Sequence, residues 1–331
     1  MKRVSVLGSG AWGTTLAQVL IDAGHDVLIW GRNGDVINEI NTKKTNHAFL
    51  GKAILPDSIR ATTDVNEAFA FGDALVLAIP AQSLRENLKN WKSTFPLNKP
   101  VISTLKGIEA STCHRMTEIL EEELAISADN VGIITGPNLA GELILRQPAG
   151  AVGASKNSVL AALIVELFTT HYFRVYPSHD LVGCELAGAS KSVIALAVGM
   201  AVGLGLGENT QSMIITRGLT EVARFGSAYG AEPLTNLGLA GMGDLVASCG
   251  SPLSRNRTFG EAIGRAGTMA EAARNAKTVE GVASANAILE LAHRVGVEVP
   301  IIEAVADVVG GKLNASAAID RLMSVSLEEE L

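Results

Sequence analysis

Only three cysteines, Cys113, Cys184 and Cys249, occur in 331 residues, and no CxxC pair joins them. That excludes a disulfide framework or a thiolate metal site and leaves reduced, buried thiols as the plain reading. Aromatic residues make up 4%, so the core has to be built from Ala, Val, Ile and Leu, a composition suited to helices packed on parallel strands. Basic charge is also short: 27 Lys and Arg face 34 Asp and Glu, a formal charge of −7. Such a chain carries no positive sheath for nucleic acid, and an anionic ligand must be met by a local cluster of cations. Long hydrophobic runs are missing as well. Lys2-Arg3 is followed only by Val4–Leu7 before Gly8, too short for a signal peptide. Between Lys191 and Glu208 lie 16 uncharged residues, four of them Gly (Gly199, Gly203, Gly205, Gly207), fewer than the roughly 20 apolar residues that cross a bilayer. A buried helix in a cytoplasmic protein without a membrane span is expected.

What is present is hydrophobic residue in bulk, 47% against 18% charged, enough for a large core and, at about 150 residues each, two domains. Short β-branched runs alternate with helical stretches through the first part. Strands are predicted at Val4–Leu7, Val27–Trp30, Ala74–Ile79, Val101–Ser103, Val131–Ile134, Pro148–Ala154 and Phe173–Tyr176, with a helix over Ala11–Ala23 closed by Gly24. Fully apolar strands alternating with helices imply a parallel sheet covered on both faces. Past Asp180 no strand pattern remains. Ile215, Leu219 and Val222 share one helix face, and Val282, Ala285, Leu289 and Ala292 another. Gly199 and Gly203, four apart, either admit a neighbouring backbone or merely fit a tight core. The division expected is 1–180 for an α/β domain and 181–331 for an all-α domain, with Glu328–Glu330 a solvated tail.

Gly8-Ser9-Gly10-Ala11-Trp12-Gly13 matches G-x-G-x-x-G immediately after a strand and at the start of a helix, the context that makes the motif specific for a dinucleotide. Gly8 allows the turn, Gly10 the approach of the pyrophosphate, and Gly13 the packing of helix on strand, as in a doubly wound Rossmann sheet. The second strand ends at Trp30-Gly31-Arg32-Asn33 with no acid for a ribose 2′-hydroxyl. Arg32 either pairs with a 2′-phosphate, which favours NADP over NAD, or is solvated at a loop tip.

Four polar or glycine-rich islands interrupt the apolar runs: Ser103–Glu109, Thr135–Ala140, Gly188–Lys191, and Gly241–Asp244 with Ser254-Arg255-Asn256. Lys106 follows a strand and belongs at the carboxyl edge of the sheet, where ligands bind. Lys191 is expected at the start of an apolar helix formed by the uncharged stretch, and needs a partner or must shed its proton more easily. Asp244 serves either a lysine or the turn after Gly243. Arg255 and Arg257 are ligand-binding or a solvated pair. None of the six histidines sits in an acid/base or metal motif, and no metal is expected.

At these islands, in this order and spacing over nearly the whole chain, the sequence resembles the bacterial type of NAD(P)-dependent glycerol-3-phosphate dehydrogenase. Val279-Glu280-Gly281 and Gly238-Leu239-Ala240 belong to the same pattern. The resemblance implies a Rossmann domain followed by a helical domain like that of 6-phosphogluconate dehydrogenase. It implies hydride transfer between NAD(P)H and dihydroxyacetone phosphate, giving sn-glycerol 3-phosphate for glycerophospholipid synthesis, in a homodimer. Lys191 then is the general acid/base, with Lys106 a second substrate cation and Asp244 balancing the lysines. Gly136, Asn138, Ser254, Arg255 and Asn256 contact the substrate. Gly8, Gly10, Ala11, Trp12, Gly13, Arg32, Lys106, Ala140, Arg255, Thr278 and Glu280 contact the cofactor. Four positions depart from the family pattern: Ala11 and Asn138 where Ser is common, Ser192 where Asn follows the lysine, and Asn33 where Arg is common, which weakens the preference for NADPH. Hydroxyacid, ketopantoate and 6-phosphogluconate reductases share the two-part plan, and a non-catalytic NADP-binding sensor is a further rival, though one with no need of the two lysines.

Overall fold

The computed structural model describes residues 1–274 and 279–324; the tail at Glu328–Glu330 and the cofactor candidate Thr278 lie outside the described residues. The chain divides into two compact units, Met1–Lys106 with His114–Glu185, and Gly107–Cys113 with Leu186–Leu331.

In the first unit the apolar runs form β1 (Arg3–Leu7), β2 (Asp26–Trp30), β3 (Arg60–Thr62), β4 (Ala74–Leu77), β5 (Val101–Ser103), β6 (Val131–Thr135), β7 (Ala149–Ala154) and β8 (Phe173–Ser178). They make one sheet in the order β3-β2-β1-β4-β5-β6-β7-β8. The winding reverses between β1 and β4, and ligand crevices open beyond the strand ends at such a switch point. Alternate residues feed two cores: Val4, Val6, Ile29 and Val76 on one face, Leu7, Leu28, Trp30, Leu75 and Leu77 on the other. Because both faces are covered, the strands read as unbroken apolar runs. On the second face the Trp30 and Trp91 rings meet edge-on with centroids 5.2 Å apart.

The sheet corrects two expectations. It is not wholly parallel, since β7 runs antiparallel to β6 before β8 resumes parallel pairing with β7. A parallel return needs a crossover of about a dozen residues or more, usually through a helix. The connection 136–148 holds only the short helix Ala140–Leu143, and the chain doubles back. The edge strand β3 shows no pattern in the sequence because its three residues, Arg60 exposed among them, are too few for a period.

From Leu186 onward the described residues contain no strand. The uncharged stretch belongs to a longer helix, Leu181–Gly203, so Lys191 lies near its middle and not at its start. The charge of Glu185 masks the upstream half in the sequence. That carboxylate is buried, accepting from the Thr117 N–H at 3.0 Å, the Thr117 hydroxyl at 2.6 Å and the Arg115 guanidinium at 2.5 Å. Asp180 caps the helix by accepting the Gly183 N–H at 2.8 Å. Among the described residues this is the one helix long and apolar enough to cross a membrane, yet 83% of its apolar window is buried by the protein itself.

Gly199 and Gly203 admit a neighbouring backbone. A Cβ at Gly199 would lie 2.1 Å from the Arg257 carbonyl oxygen, one at Gly203 2.2 Å from that of Glu261, and one at Gly260 2.2 Å from that of Leu196. The helices Leu181–Gly203 and Arg255–Ala266 therefore cross backbone to backbone, which registers the first turn of the second against the helix that carries Lys191. On the helix Glu208–Ala228 the buried face is Ile214, Gly218, Glu221, Val222 and Phe225; of the face expected at Ile215, Leu219 and Val222, Val222 lies on it and the other two are half-buried one position round. A buried acid displaces the apparent stripe: Glu221 accepts the Ile301 and Ile302 N–H groups, at 2.8 and 3.3 Å, and caps the helix Pro300–Val309.

Candidate active site

β1 ends at Leu7 and the chain turns at Gly8, whose φ of 135° is closed to residues with side chains. A Cβ on Gly8 would stand 2.3 Å from the Ala78 carbonyl oxygen beyond β4, and one on Gly13 2.0 Å from the Gly8 carbonyl oxygen. Turn, helix and strand end interlock. Above Gly10 the space is open, for a Cβ there would meet nothing within 4 Å. Gly10 caps the helix Ala11–Asp22 without any side-chain bond, so its first N–H groups and partial positive charge are offered to an anion. This cradle at the switch point, with Ala11 and Trp12 half-buried on its first turn, fits a dinucleotide pyrophosphate. Asn46, fully buried, braces it by donating to the Ser9 carbonyl and the Thr14 hydroxyl, both at 2.9 Å. Its distance along the chain hides that role from the sequence.

At the end of β2, Arg32 is exposed and pairs with no carboxylate among the described residues. Asn33 is a helix cap: its Oδ1 accepts from the Asp35 and Val36 N–H groups at 2.9 and 3.3 Å. Beyond β5, the Lys106 Nζ donates to the Gly136 carbonyl at 2.9 Å, which brings together two candidates from the ends of neighbouring strands. Both amide atoms of Asn138 are buried without a partner. Buried groups left so cost about 1–3 kcal/mol each, which a ligand's hydroxyl or carbonyl would recover. Ala140 opens the short helix that follows.

In the helical unit Lys191 reaches Asp244 and one residue that the sequence reading missed. Its Nζ stands 3.1 Å from the Asp244 Oδ1, with side chains 13% and 3% exposed, and donates to the Ser248 Oγ at 2.6 Å. A wide π turn, Leu239–Gly243, feeds the helix Asp244–Gly250. Within it Gly241 is pressed so closely on Asn236 that a Cβ would lie 2.4 Å from the Asn236 carbonyl oxygen. Ser248 follows Asp244 by one helical turn and shares its face, and that i, i+4 spacing is the signal that would have found it. A buried ion pair is tolerable only when its remaining hydrogen-bonding capacity is met, and Ser248 meets part of it. The third ammonium proton has no partner among the described residues. The surroundings are dry: burial pushes the Cys249 thiol up to about 12, with Lys191 opposing and Asp244 reinforcing the shift.

Ser254 is buried and caps the helix Arg255–Ala266, its Oγ accepting the Arg257 N–H at 3.3 Å. Arg255 is exposed on the first turn. The Asn256 Oδ1 accepts the Gly281 N–H at 2.9 Å, tying this turn to the helix Glu280–Arg294. Gly281 also presses on the residue after Lys191, since a Cβ there would lie 2.5 Å from the Ser192 carbonyl oxygen. The Ser254–Asn256 turn, Glu280 and the Lys191 cluster thus adjoin. Among the described residues no group of His, Cys, Asp and Glu gathers that would hold a metal ion.

Residues 3–161 match the family model for the N-terminus of NAD-dependent glycerol-3-phosphate dehydrogenase, and residues 180–320 the model for its C-terminus. An NAD(P)+ glycerol-3-phosphate dehydrogenase of Streptomyces griseus is 46% identical over 329 residues, 99% of this chain and 98% of the relative. That of Thermobifida fusca is 47% identical over 332 residues, 100% of this chain and 99% of the relative. The crystal structure of glycerol-3-phosphate dehydrogenase from Coxiella burnetii superposes with a TM-score of 0.90 at 30% identity, covering 98% of this chain and 99% of that one. A D-mandelate dehydrogenase, at a TM-score of 0.62 and 16% identity, shares the fold alone. With a dinucleotide cradle in one unit and a paired, buried lysine in the other, the chain belongs to the NAD(P)-dependent glycerol-3-phosphate dehydrogenases, a family of oxidoreductases.

Proposed function

We propose that this chain reduces dihydroxyacetone phosphate to sn-glycerol 3-phosphate, and oxidises it in reverse, with Lys191 as the proton donor and acceptor. The observation that carries this reading is the ammonium of Lys191, anchored by Asp244 and Ser248 with one proton uncommitted. When bound, NAD(P)H supplies the hydride that the ketone carbon receives. As negative charge grows on the ketone oxygen, the uncommitted N–H of Lys191 stabilises it and then delivers the proton. Asp244 holds the lysine aimed. In the reverse direction the same nitrogen accepts the hydroxyl proton.

Lys106, oriented by the Gly136 carbonyl, is the second cation for the substrate, and Asn138 offers its unpartnered amide to the substrate's oxygens. Ser254, Arg255 and Asn256 take the phosphate, the planar guanidinium matching two of its oxygens. Holding that remote group fixes the geometry at the carbonyl. Gly8, Gly10, Ala11, Trp12 and Gly13 hold the pyrophosphate, assisted by Lys106, Ala140, Arg255, Thr278 and Glu280. Arg32, with no acid beside it, takes the 2′-phosphate and makes NADPH the preferred reductant. The enzyme works as a cytoplasmic homodimer supplying glycerophospholipid synthesis. The test is steady-state oxidation of NADPH and of NADH with and without dihydroxyacetone phosphate. Triose-phosphate-dependent oxidation, more efficient with NADPH, is expected; oxidation indifferent to the triose phosphate would remove the substrate assignment.

A further inference from the structure

One arginine of the helical unit has no use in the scheme above. Arg257 lies on the first turn of the helix Arg255–Ala266, with its N–H on the Ser254 Oγ and its carbonyl against Gly199. The glycine crossing therefore holds its backbone against the helix of Lys191. Its side chain is partly buried, and its Nε is wholly buried with no acceptor. Three cations whose side chains are no more than 15% exposed each meet an acid: Arg85 has Glu122 and Glu123, Arg115 has Glu118 and Glu185, and Lys191 has Asp244. Among the described residues Arg257 forms no ion pair and no side-chain hydrogen bond. A buried N–H without an acceptor costs free energy that an arriving anion recovers, while the terminal nitrogens of the fork stay open to receive it. Its charge reaches the interior of the Lys191 cluster, for the Cys249 thiol feels Lys191, Asp244 and Arg257 together. Asp244 is already engaged by Lys191, which leaves the Arg257 fork available to an anion from outside the chain.

We propose that Arg257 is a second phosphate-recognising arginine, acting beside Arg255 on the anionic end of the substrate and setting the preference for phosphorylated over unphosphorylated ketones. A phosphomonoester dianion suits it: the planar fork takes two oxygens, and the positive first turn of a twelve-residue helix adds to the attraction. This role, which rests on the reading that the substrate is a triose phosphate, makes Arg257 a specificity residue and leaves the proton transfer to Lys191.

The test compares wild type, Arg257→Gln and Arg257→Lys for three readouts. These are the ratio of kcat/KM for dihydroxyacetone phosphate to that for dihydroxyacetone, competitive inhibition by inorganic phosphate, and NADPH affinity by fluorescence titration. In Arg257→Gln the ratio should fall about 10- to 100-fold, the range of one charge-assisted hydrogen bond. Phosphate inhibition should weaken in parallel and NADPH affinity should stay unchanged, while Arg257→Lys should recover part of the ratio. If Arg257→Gln does not fold, the Lys variant decides through the same ratio, since a charge without the fork should still lower it. An unchanged ratio in folded variants would overturn the role, as would a loss confined to NADPH affinity. A wild type that shows no preference for the phosphorylated ketone would instead sink the substrate assignment beneath it.

Discussion

The glycine turn of the sheet unit and the lysine cluster of the helical unit both meet charge, and they do so by opposite means. At Gly8–Gly13 side chains are removed, so that backbone N–H groups and a helix end face an open space. At Lys191 a charge is carried inward and then held by a carboxylate and a hydroxyl from another helix. The first design depends on bare backbone, packed too closely at Gly8 and Gly13 for a side chain and left open above Gly10. The second depends on pairing, and fails when one partner is left buried alone.

The sharpest way to break this contrast is Lys191→Ala, which should lower turnover by about 10²–10⁴-fold. It also strands Asp244, at 3% exposure, without its cation, so stability should fall too. The double variant Lys191→Ala with Asp244→Asn should recover the Tm and leave turnover low. Near-normal turnover in either variant would reject Lys191 as proton donor.

Next in size is Glu221, a buried acid of the helical unit that caps backbone without a bonded cation, and burial pushes its carboxyl up to about 7 from 4.5. The folded protein then holds that proton more tightly than the unfolded chain. The stability it contributes is full below the ordinary carboxylate range and is lost as the pH rises through about 7. Glu221→Gln keeps an acceptor and removes the titration. Relative to wild type it should gain, on the order of 3 kcal/mol, as the pH rises from acid to alkaline. Parallel Tm-versus-pH curves for the two proteins would contradict this.

Gly8→Ala tests the close-packed turn directly. With φ at 135° and its Cβ 2.3 Å from a carbonyl oxygen, the turn should lose about 2–3 kcal/mol, read as weaker NADPH binding in a fluorescence titration. Affinity equal to wild type would mean that the turn is not where the cofactor binds. The smallest effect is expected at the exposed Arg32, where Ala should cut the preference for NADPH over NADH by about 3- to 10-fold. An unaltered preference would place the 2′-phosphate elsewhere.

The turn was legible in the sequence because its physics is local: strand, glycines and helix follow one another within a dozen positions. In the lysine cluster the need of Lys191 for a partner was legible in its uncharged surroundings and Asp244 through resemblance, but the Ser248 bond was not read. Ser248 is an ordinary serine until the Asp244 helix faces Lys191. Asn46 is an ordinary asparagine until it folds onto Ser9. Glu185 and Glu221 misled the reading of helix length and helix face, because a charge in a periodic pattern signals solvent unless its partner is known, and the partners stand 68 and 80 positions away.

By itself the sequence determined the alternation of strands and helices, the change to an all-helical second half, and the glycine turn, since each follows from side-chain periodicity and backbone freedom over a short span. The tertiary structure alone decided the antiparallel β7, the backbone-to-backbone crossing at Gly199 and Gly260, and which buried charge meets which partner. Those are contacts between distant segments, and a pairing energy exists only once both groups have left water together.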